Sequence, residues 1–243
     1  MLKSAVTKPS ERPSRGPKPI KIDPSDLLDA AQTVFARDGL EDGSIRAIAR
    51  EAGCDPSLLY YHFENKEAIF LAILERKFGL LLPGLAGIAD EYTSRIKILA
   101  PTSTNRNGRT PLQEALWQFL MVFRNHVKDD LGFRHMIRWS VASTKKFGLE
   151  EIMFTYLSPA MQIISSTLNS GIKTGELRKD INLAMTTFFF VRTYIDVLDF
   201  FPLFTGRLIQ MQPEEAIDLA EVQWFKLFWA GISNTPKNLG EKL

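Results

Sequence analysis

The stretch of sequence that decides the fold is residues 44–70, SIRAIAREAGCDPSLLYYHFENKEAIF. Ser44 and Asp55 are residue types that cap helix N-termini, and Pro56 suits the first position of a helix. Gly53, which precedes Asp55 by two residues, is expected to end the first of the two helices. The stretch therefore predicts two short helices joined by a tight turn, the helix-turn-helix arrangement whose second helix can enter a DNA major groove.

Helical patterns flank this stretch on both sides. Upstream, Asp23 is expected to cap a helix whose apolar residues recur at helical spacing until Gly39. Downstream, Asn65 is expected to cap a fourth helix, which Pro83 should kink or end. Helical pattern resumes after this proline and continues through Ile98. A three-helix head is therefore predicted, followed by a connecting helix.

The remainder of the chain predicts a helical body without strands. The segment 181–204 is apolar on nearly every side, so it needs packing partners on two sides, and we expect a second subunit to supply one of them. Together with 213–232 it is expected to form a four-helix dimer interface. The fold class is therefore all-α, with an N-terminal helix-turn-helix head and a C-terminal helical domain for ligand binding and dimerisation. The five helices predicted in the body are 112–128, 131–147, 149–174, 181–204 and 213–232.

Composition excludes several classes of protein. The chain has 243 residues, of which 45% are hydrophobic and 24% charged, as in ordinary globular proteins. The single cysteine, Cys54, rules out an internal disulfide, and no cysteine or histidine spacing typical of a zinc site occurs. No signal-peptide pattern or membrane-spanning stretch is present, so we expect a cytoplasmic protein.

The motifs IA..AG, LYYHF and NKE within residues 44–70 resemble those of the TetR family of bacterial transcriptional regulators. The resemblance covers about residues 23–75, and a weaker one at 171–180 is similar to the turn before the family's dimer-forming helices. It implies a homodimer that binds an operator in double-stranded DNA, usually as a repressor, and that encloses an apolar pocket for a small-molecule effector. Asp55 and Pro56 depart from the family pattern, which usually has Ser and a basic or small residue there.

Charge is distributed unevenly between the N-terminal arm and the head. Residues 1–22 carry six basic side chains and one acidic one, in a proline-containing segment without hydrophobic periodicity that we expect to be flexible. Residues 23–77 carry 6 basic and 11 acidic side chains, a net charge of −5. DNA attraction must therefore come from a local positive face or from the arm. The predicted division is 1–22 arm, 23–80 DNA-binding head and 81–243 body.

The candidate DNA contacts lie on the two short helices and at the start of the fourth. Hydroxyl, imidazole and ammonium groups at the end of the second short helix suit phosphate oxygens, which position a helix without reading sequence. Arginine near the start of the first short helix can pair with a guanine edge. The same residues have a purely structural alternative, as core aromatics or solvated charges. The predicted set is Ser44, Arg46, Ser57, Leu58, Tyr60, Tyr61, His62 and Lys66.

The candidate effector site depends on the family resemblance and on the aromatic and methionine side chains of the body. Such residues at helical spacing usually form core, so ordinary packing is the alternative interpretation. A few polar tips among them are expected to orient an apolar or aromatic ligand. The predicted set is Trp117, Met121, His135, Trp139, Phe154, Tyr156, Phe189 and Tyr194. No cofactor and no metal are expected.

Three functions remain open at this point. The favoured one is a repressor released from its operator by a small apolar or aromatic ligand. The second is a ligand-independent regulator or an activator, whose body would have a filled core. The third is a helical enzyme or carrier, which is disfavoured because no nucleotide-binding, nucleophile or metal motif is present.

Overall fold

The computed structural model of the chain describes residues 23–137, 149–208 and 210–234, and this part contains nine helices. They are numbered here in chain order, and the sixth begins at residue 131 and is described to residue 137. The helices are α1 (Pro24–Asp42), α2 (Ile45–Glu51), α3 (Pro56–His62), α4 (Lys66–Arg95), α5 (Pro111–Val127), α6 (131–137), α7 (Leu149–Thr174), α8 (Leu183–Leu208) and α9 (Pro213–Ile232).

The helices of the head begin where their capping residues predict. The Asp23 side chain accepts a hydrogen bond from the Ser25 N–H, the Ser44 hydroxyl accepts one from Ala47, and Asp55 accepts one from Ser57. Each bond satisfies a backbone donor that the first turn of a helix leaves free. These caps fix the starts of α1, α2 and α3.

The end of α1 differs from the predicted one. Gly39 has φ +73°, a conformation that favours glycine, so the chain does bend there as expected. The helix nevertheless continues beyond the bend to Asp42, and the N–H of Gly43 donates to the Gly39 carbonyl. The buried side chain of Leu40 anchors this last turn in the head core.

The fourth helix is continuous where a kink or an end was predicted. Pro83 lies inside α4, which runs from Lys66 to Arg95. Proline removes one helical hydrogen bond and crowds the preceding turn, but Leu81 and Leu85 on either side of it are buried. Contacts of α4 with α5 and α7 therefore hold the helix together across the proline.

In the body, the predicted positions of α5, α7 and α9 are confirmed, while α8 starts two residues later and ends four residues later than predicted. The predicted helix 131–147 begins at residue 131, while its second half lies outside the described residues. In the described part, β-structure is limited to one isolated bridge between Leu177 and Ser233, in agreement with the predicted all-α class. Among the described helices, none has both the length and the apolar character required to cross a membrane.

Candidate nucleic-acid interface and effector cavity

Helix α3 combines one buried anchor with exposed polar tips. Leu59 has no exposed surface and joins the core formed by Val34, Ile48 and Phe70. On the opposite face, the Tyr61 side chain is 82% exposed and Tyr60 is 61% exposed. Such exposure is unusual for aromatic residues of a globular head, and it leaves both phenol groups available for a partner outside the chain.

The other predicted DNA contacts surround these tyrosines. His62 is exposed, and its ring meets the Tyr61 ring edge-on, with 4.9 Å between the centroids. Ser57 and Arg46 are also exposed, whereas Leu58 is half-buried against the core. The structure therefore brings the histidine and the tyrosines together at the end of α3, with Arg46 on the neighbouring α2.

Two of the predicted phosphate contacts also have internal hydrogen bonds. The Ser44 hydroxyl caps α2 by accepting from Ala47, 3.2 Å away. The Lys66 ammonium donates to the carbonyl oxygens of Glu41 and Gly43, at 2.7 and 3.2 Å. Lys66 therefore fixes the turn between α1 and α2, a role that the sequence did not reveal because its acceptors are backbone atoms 23 and 25 residues away.

The acidic surplus of the head is partly neutralised within it. The Arg76 guanidinium lies 2.6 Å from the Asp29 carboxylate, and Arg37 lies 2.8 Å from Asp38. The backbone and side chain of Ser57 hold the pKa of the Asp55 carboxyl below its usual value, so the start of α3 carries a negative charge. The basic residues at 1–22 lie outside the described part of the chain.

The body encloses a cavity of about 770 Å³, including its open mouth. Residues from α4, α5, α6, α7 and α8 form its walls, and they are mainly aromatic and aliphatic. Three basic side chains, Lys77, His126 and Arg192, also border it. The remaining lining residues are Phe78, Leu81, Phe123, Val127, Phe133, Ile137, Leu157, Met161, Phe188, Val191 and Ile195. A mostly apolar cavity with a few polar groups is typical of a small-molecule site.

Comparison with known proteins identifies the head. Residues 27–73 match the family model described as bacterial regulatory proteins, tetR family. These residues include α2, α3 and the first turns of α4, the elements that form the interface described above. This head is that of the TetR family. The chain is a DNA-binding transcriptional regulator, as the helix-turn-helix predicts.

Relatives extend the similarity into the body. The HTH-type transcriptional repressor KstR2 of Rhodococcus jostii (strain RHA1) is 29% identical over 169 residues, which cover 66% of this chain and 71% of that protein. The fatty acid metabolism regulator protein of Bacillus subtilis (strain 168) is 24% identical over 166 residues, covering 67% and 76% of the two chains.

A solved structure shows the same fold over most of the chain. The ketosteroid transcriptional regulator KstR2 of Mycobacterium tuberculosis superposes with a TM-score of 0.59 at 18% sequence identity. The match covers 86% of this chain and 94% of that one. The helical body is therefore part of the shared architecture.

None of the predicted effector residues that the structure describes is among the described residues that line the cavity. Trp117 packs edge-on with Phe225, with 5.1 Å between the ring centroids, and the Arg109 guanidinium lies over the Trp117 ring. Tyr194 is buried between α8 and α9, where its hydroxyl donates to the Glu221 carboxylate at 2.7 Å. These side chains pack within the body and are not among the described residues that line the cavity.

The other predicted effector residues lie elsewhere on the body. Phe154, Phe189 and His135 are exposed, Met121 and Tyr156 are half-buried outside the cavity wall, and Trp139 lies outside the described residues. On α8, the cavity wall consists of Phe188, Val191, Arg192 and Ile195. That spacing of three and four residues is a helical stripe, and Phe189 belongs to the next stripe. The spacing of apolar residues on α8 therefore indicates that one stripe of the helix lines a cavity, but it does not show which stripe.

Buried polar groups hold α5 to α9 beside this cavity. The Glu221 carboxylate accepts from Tyr194 and lies 3.1 Å from the Arg124 guanidinium. Burial raises the pKa of Glu221 although both partners favour its charged form, and Arg124 also pairs with Asp218. This network fixes the position of α9. Glu221 lies outside the cavity wall, and none of the described residues that line the cavity carries a carboxylate.

Proposed function

We propose that this regulator is a repressor released from its operator by an apolar ligand that occupies the cavity in the body. The apolar cavity carries this proposal, because tightly packed protein interiors leave few voids larger than a water molecule. The printed names of the relatives point the same way, since one is a transcriptional repressor and others refer to fatty acid metabolism and to ketosteroids. Fatty acids and steroids are apolar molecules.

On DNA, α3 is proposed to lie in the major groove. Tyr60, Tyr61 and His62 would contact phosphate oxygens, which fixes the position of the helix, as would the backbone at Ser44. Arg46 is the candidate for reading a base edge, with Ser57 and Leu58 beside it. Lys66 uses two of its three N–H donors inside the head, which leaves one for a phosphate.

The operator-binding form is proposed to be a homodimer. Several apolar side chains of α8 and α9 are exposed on the chain, a costly arrangement unless another surface covers them. A two-fold axis through these helices would present two copies of α3 to successive major grooves, about 34–36 Å apart. The exposed residues are Met185, Phe188, Phe189, Leu219, Val222 and Leu227.

Ligand release requires that the ligand bind two conformations of the dimer with different affinity. In the proposed mechanism, α4 connects the cavity to the head and changes the separation of the two α3 helices when the cavity is filled. This mechanism places the boundary between the DNA-binding head and the body near residue 80, a position within the continuous helix α4. The proposed location is the cytoplasm, where an operator is accessible, and no catalytic role is assigned.

Selection of bound fragments from a random duplex library tests both parts of the proposal. The full chain should retain a near-palindromic family of sequences, and straight-chain or polycyclic apolar compounds should release the selected duplex. Retention measured by fluorescence anisotropy before and after ligand addition gives the result. Enrichment of no sequence would remove the operator from the proposal. Retention unaffected by every compound would favour the ligand-independent alternative.

A further inference from the structure

One carboxylate joins the head, the connecting helix and the body. Asp130, which immediately precedes α6, accepts from the Gln32 side-chain amide at 2.7 Å and from the Lys77 ammonium at 2.5 Å. Gln32 belongs to α1 in the head, and Lys77 belongs to α4. The same carboxylate accepts from the N–H of Phe133 at 2.8 Å, which caps the first turn of α6. Asp130 therefore fixes three helices relative to one another.

The contact between α1 and α6 at this point is close. A Cβ placed on Gly132 would lie 3.3 Å from the Gln32 side-chain nitrogen and 3.4 Å from the Cβ of Ala36. Distances this short leave little room for α6 to move without displacing α1. A shift of the start of α6 is therefore transmitted directly to the head.

Lys77 also belongs to the cavity. Its side chain lines the wall, and its ammonium lies 5.9 Å from the centroid of the Phe133 ring, another wall residue. His126 uses Nδ1 for a hydrogen bond with the Val122 carbonyl, and Arg192 lies 3.3 Å from Asp196. The described wall thus offers basic groups and no carboxylate to a molecule inside, which is the charge pattern that complements an anion.

We propose that the effector is an amphiphile with one anionic end, and that this end draws Lys77 away from Asp130. The apolar tail fills the cavity, while the anionic end forms with Lys77 the ion pair that Asp130 makes in the empty protein. The inference rests on the proposed function, because it assigns the ligand class and the release step of the same cavity. Lys77 thereby determines specificity for charged over neutral ligands.

When Lys77 no longer pairs with Asp130, the bonds of Asp130 to Gln32 and to α6 are affected. Burial raises the pKa of the Asp130 carboxyl, but the bonds from Lys77, the Phe133 N–H and Gln32 more than offset this, and the net pKa is below its usual value. The Asp130 side chain is one-fifth exposed in the structure, and without Lys77 it would keep Gln32 as its single side-chain donor. A carboxylate in that state gains hydration by turning outward. Turning outward breaks its bonds to Gln32 and to α6, so the head is released from the body.

Release of the selected duplex by matched pairs of compounds tests the inference on the full chain. The probes are decanoate, dodecanoate and tetradecanoate, each compared with the alcohol of the same chain length. We expect the carboxylate to release the duplex at a concentration about tenfold lower than the alcohol, because one charge-assisted hydrogen bond distinguishes them. Lys77→Met should weaken duplex binding in the absence of ligand, because Asp130 then lacks its partner, and should abolish the preference in the binding that remains. Lys77→Arg should retain both the binding and the preference. Lys97→Met makes the same change at an exposed position of the chain and should leave the preference intact.

A second measurement detects the opening without DNA. In the empty protein, the Phe133 N–H donates a hydrogen bond to the Asp130 carboxylate. Dodecanoate should accelerate hydrogen exchange at this amide, and dodecanol should not. Equal release by carboxylates and alcohols, or a preserved preference in Lys77→Met, would overturn the role of Lys77 and leave the apolar-ligand proposal standing. If none of the six compounds binds, as judged by thermal unfolding, or releases the duplex, the proposed effector site itself is contradicted.

Discussion

The core of the head consists of fully buried side chains, whereas the body holds a cavity of about 770 Å³ including its open mouth. In the head, Leu27, Ile48, Leu59 and Phe70 have no exposed surface, and the groups proposed to act on DNA lie outside this core. In the body, the groups proposed to act on a ligand line an internal space. One region therefore presents its functional side chains from a packed support, and the other surrounds its partner.

The difference in packing has an energetic consequence. A filled core holds the exposed tyrosines of α3 in fixed positions, as recognition of a rigid duplex requires. An unfilled core lacks part of the van der Waals contact that stabilises a protein, and a bound ligand restores it. Ligand binding should therefore stabilise the body more than the head, and the stability of the body can serve as a measure of occupancy.

The largest expected difference comes from making the same substitution in both cores. Ile48→Phe adds volume to the filled head and should lower the free energy of unfolding by about 1–3 kcal/mol. Ile195→Phe adds the same volume beside the cavity, where Ile195 forms part of the wall, and should change stability by less than about 0.5 kcal/mol. Chemical denaturation of the two variants and the parent chain provides the comparison.

A second measurement, the release of DNA by dodecanoate, tests the cavity variant further. Ile195→Phe should weaken the release of DNA by dodecanoate because the ring occupies ligand space, while its DNA affinity without ligand stays at the parent value. Equal losses of stability in the two variants would mean that the cavity closes in solution.

A smaller effect is expected at the protein–DNA surface. Arg46→Ala should cost about 2 kcal/mol on the selected duplex and much less on a random one, if the guanidinium reads a base edge. Arg106→Ala, at an exposed position on the loop between α4 and α5, should change neither value. Anisotropy titrations with both duplexes measure the four affinities. An equal loss of affinity on both would assign Arg46 to a phosphate instead.

The smallest effect is expected for the Tyr61 hydroxyl. Tyr61→Phe removes one hydrogen bond to a phosphate and should weaken binding by about 0.5–1.5 kcal/mol on every duplex alike. The free energy of unfolding should not change, since the side chain is 82% exposed. A loss confined to the selected duplex would show instead that the hydroxyl contributes to sequence recognition.

The parts of the molecule that local chemistry determines are the parts that the sequence predicts. Capping residues set the starts of α1, α2 and α3, and glycines at both ends mark the limits of α7. The exposure of Tyr60 and Tyr61 follows because Leu59 already occupies the inward face of a seven-residue helix. Such features depend on neighbours a few positions away.

The cavity depends on the rotation of five helices about their axes, which no local pattern fixes. Phe188 and Phe189 are equally apolar, yet only Phe188 contributes to the wall. Lys77 gives no sign in the sequence of its bond to Asp130, which lies 53 residues away. Likewise, packing against α5 and α7 carries α4 through Pro83, although the proline itself favours a break.

The continuity of α4 limits how such a regulator can be recombined. At 30 residues the helix is about 45 Å long, and its buried Phe70 and Tyr92 belong to the head and to the far end of the body. A chimera joined near residue 80 would splice two different helices in mid-turn and would mismatch the apolar stripe on at least one side. Exchange of DNA-binding modules between relatives should therefore succeed only when the whole of α4 is taken from one of the two proteins.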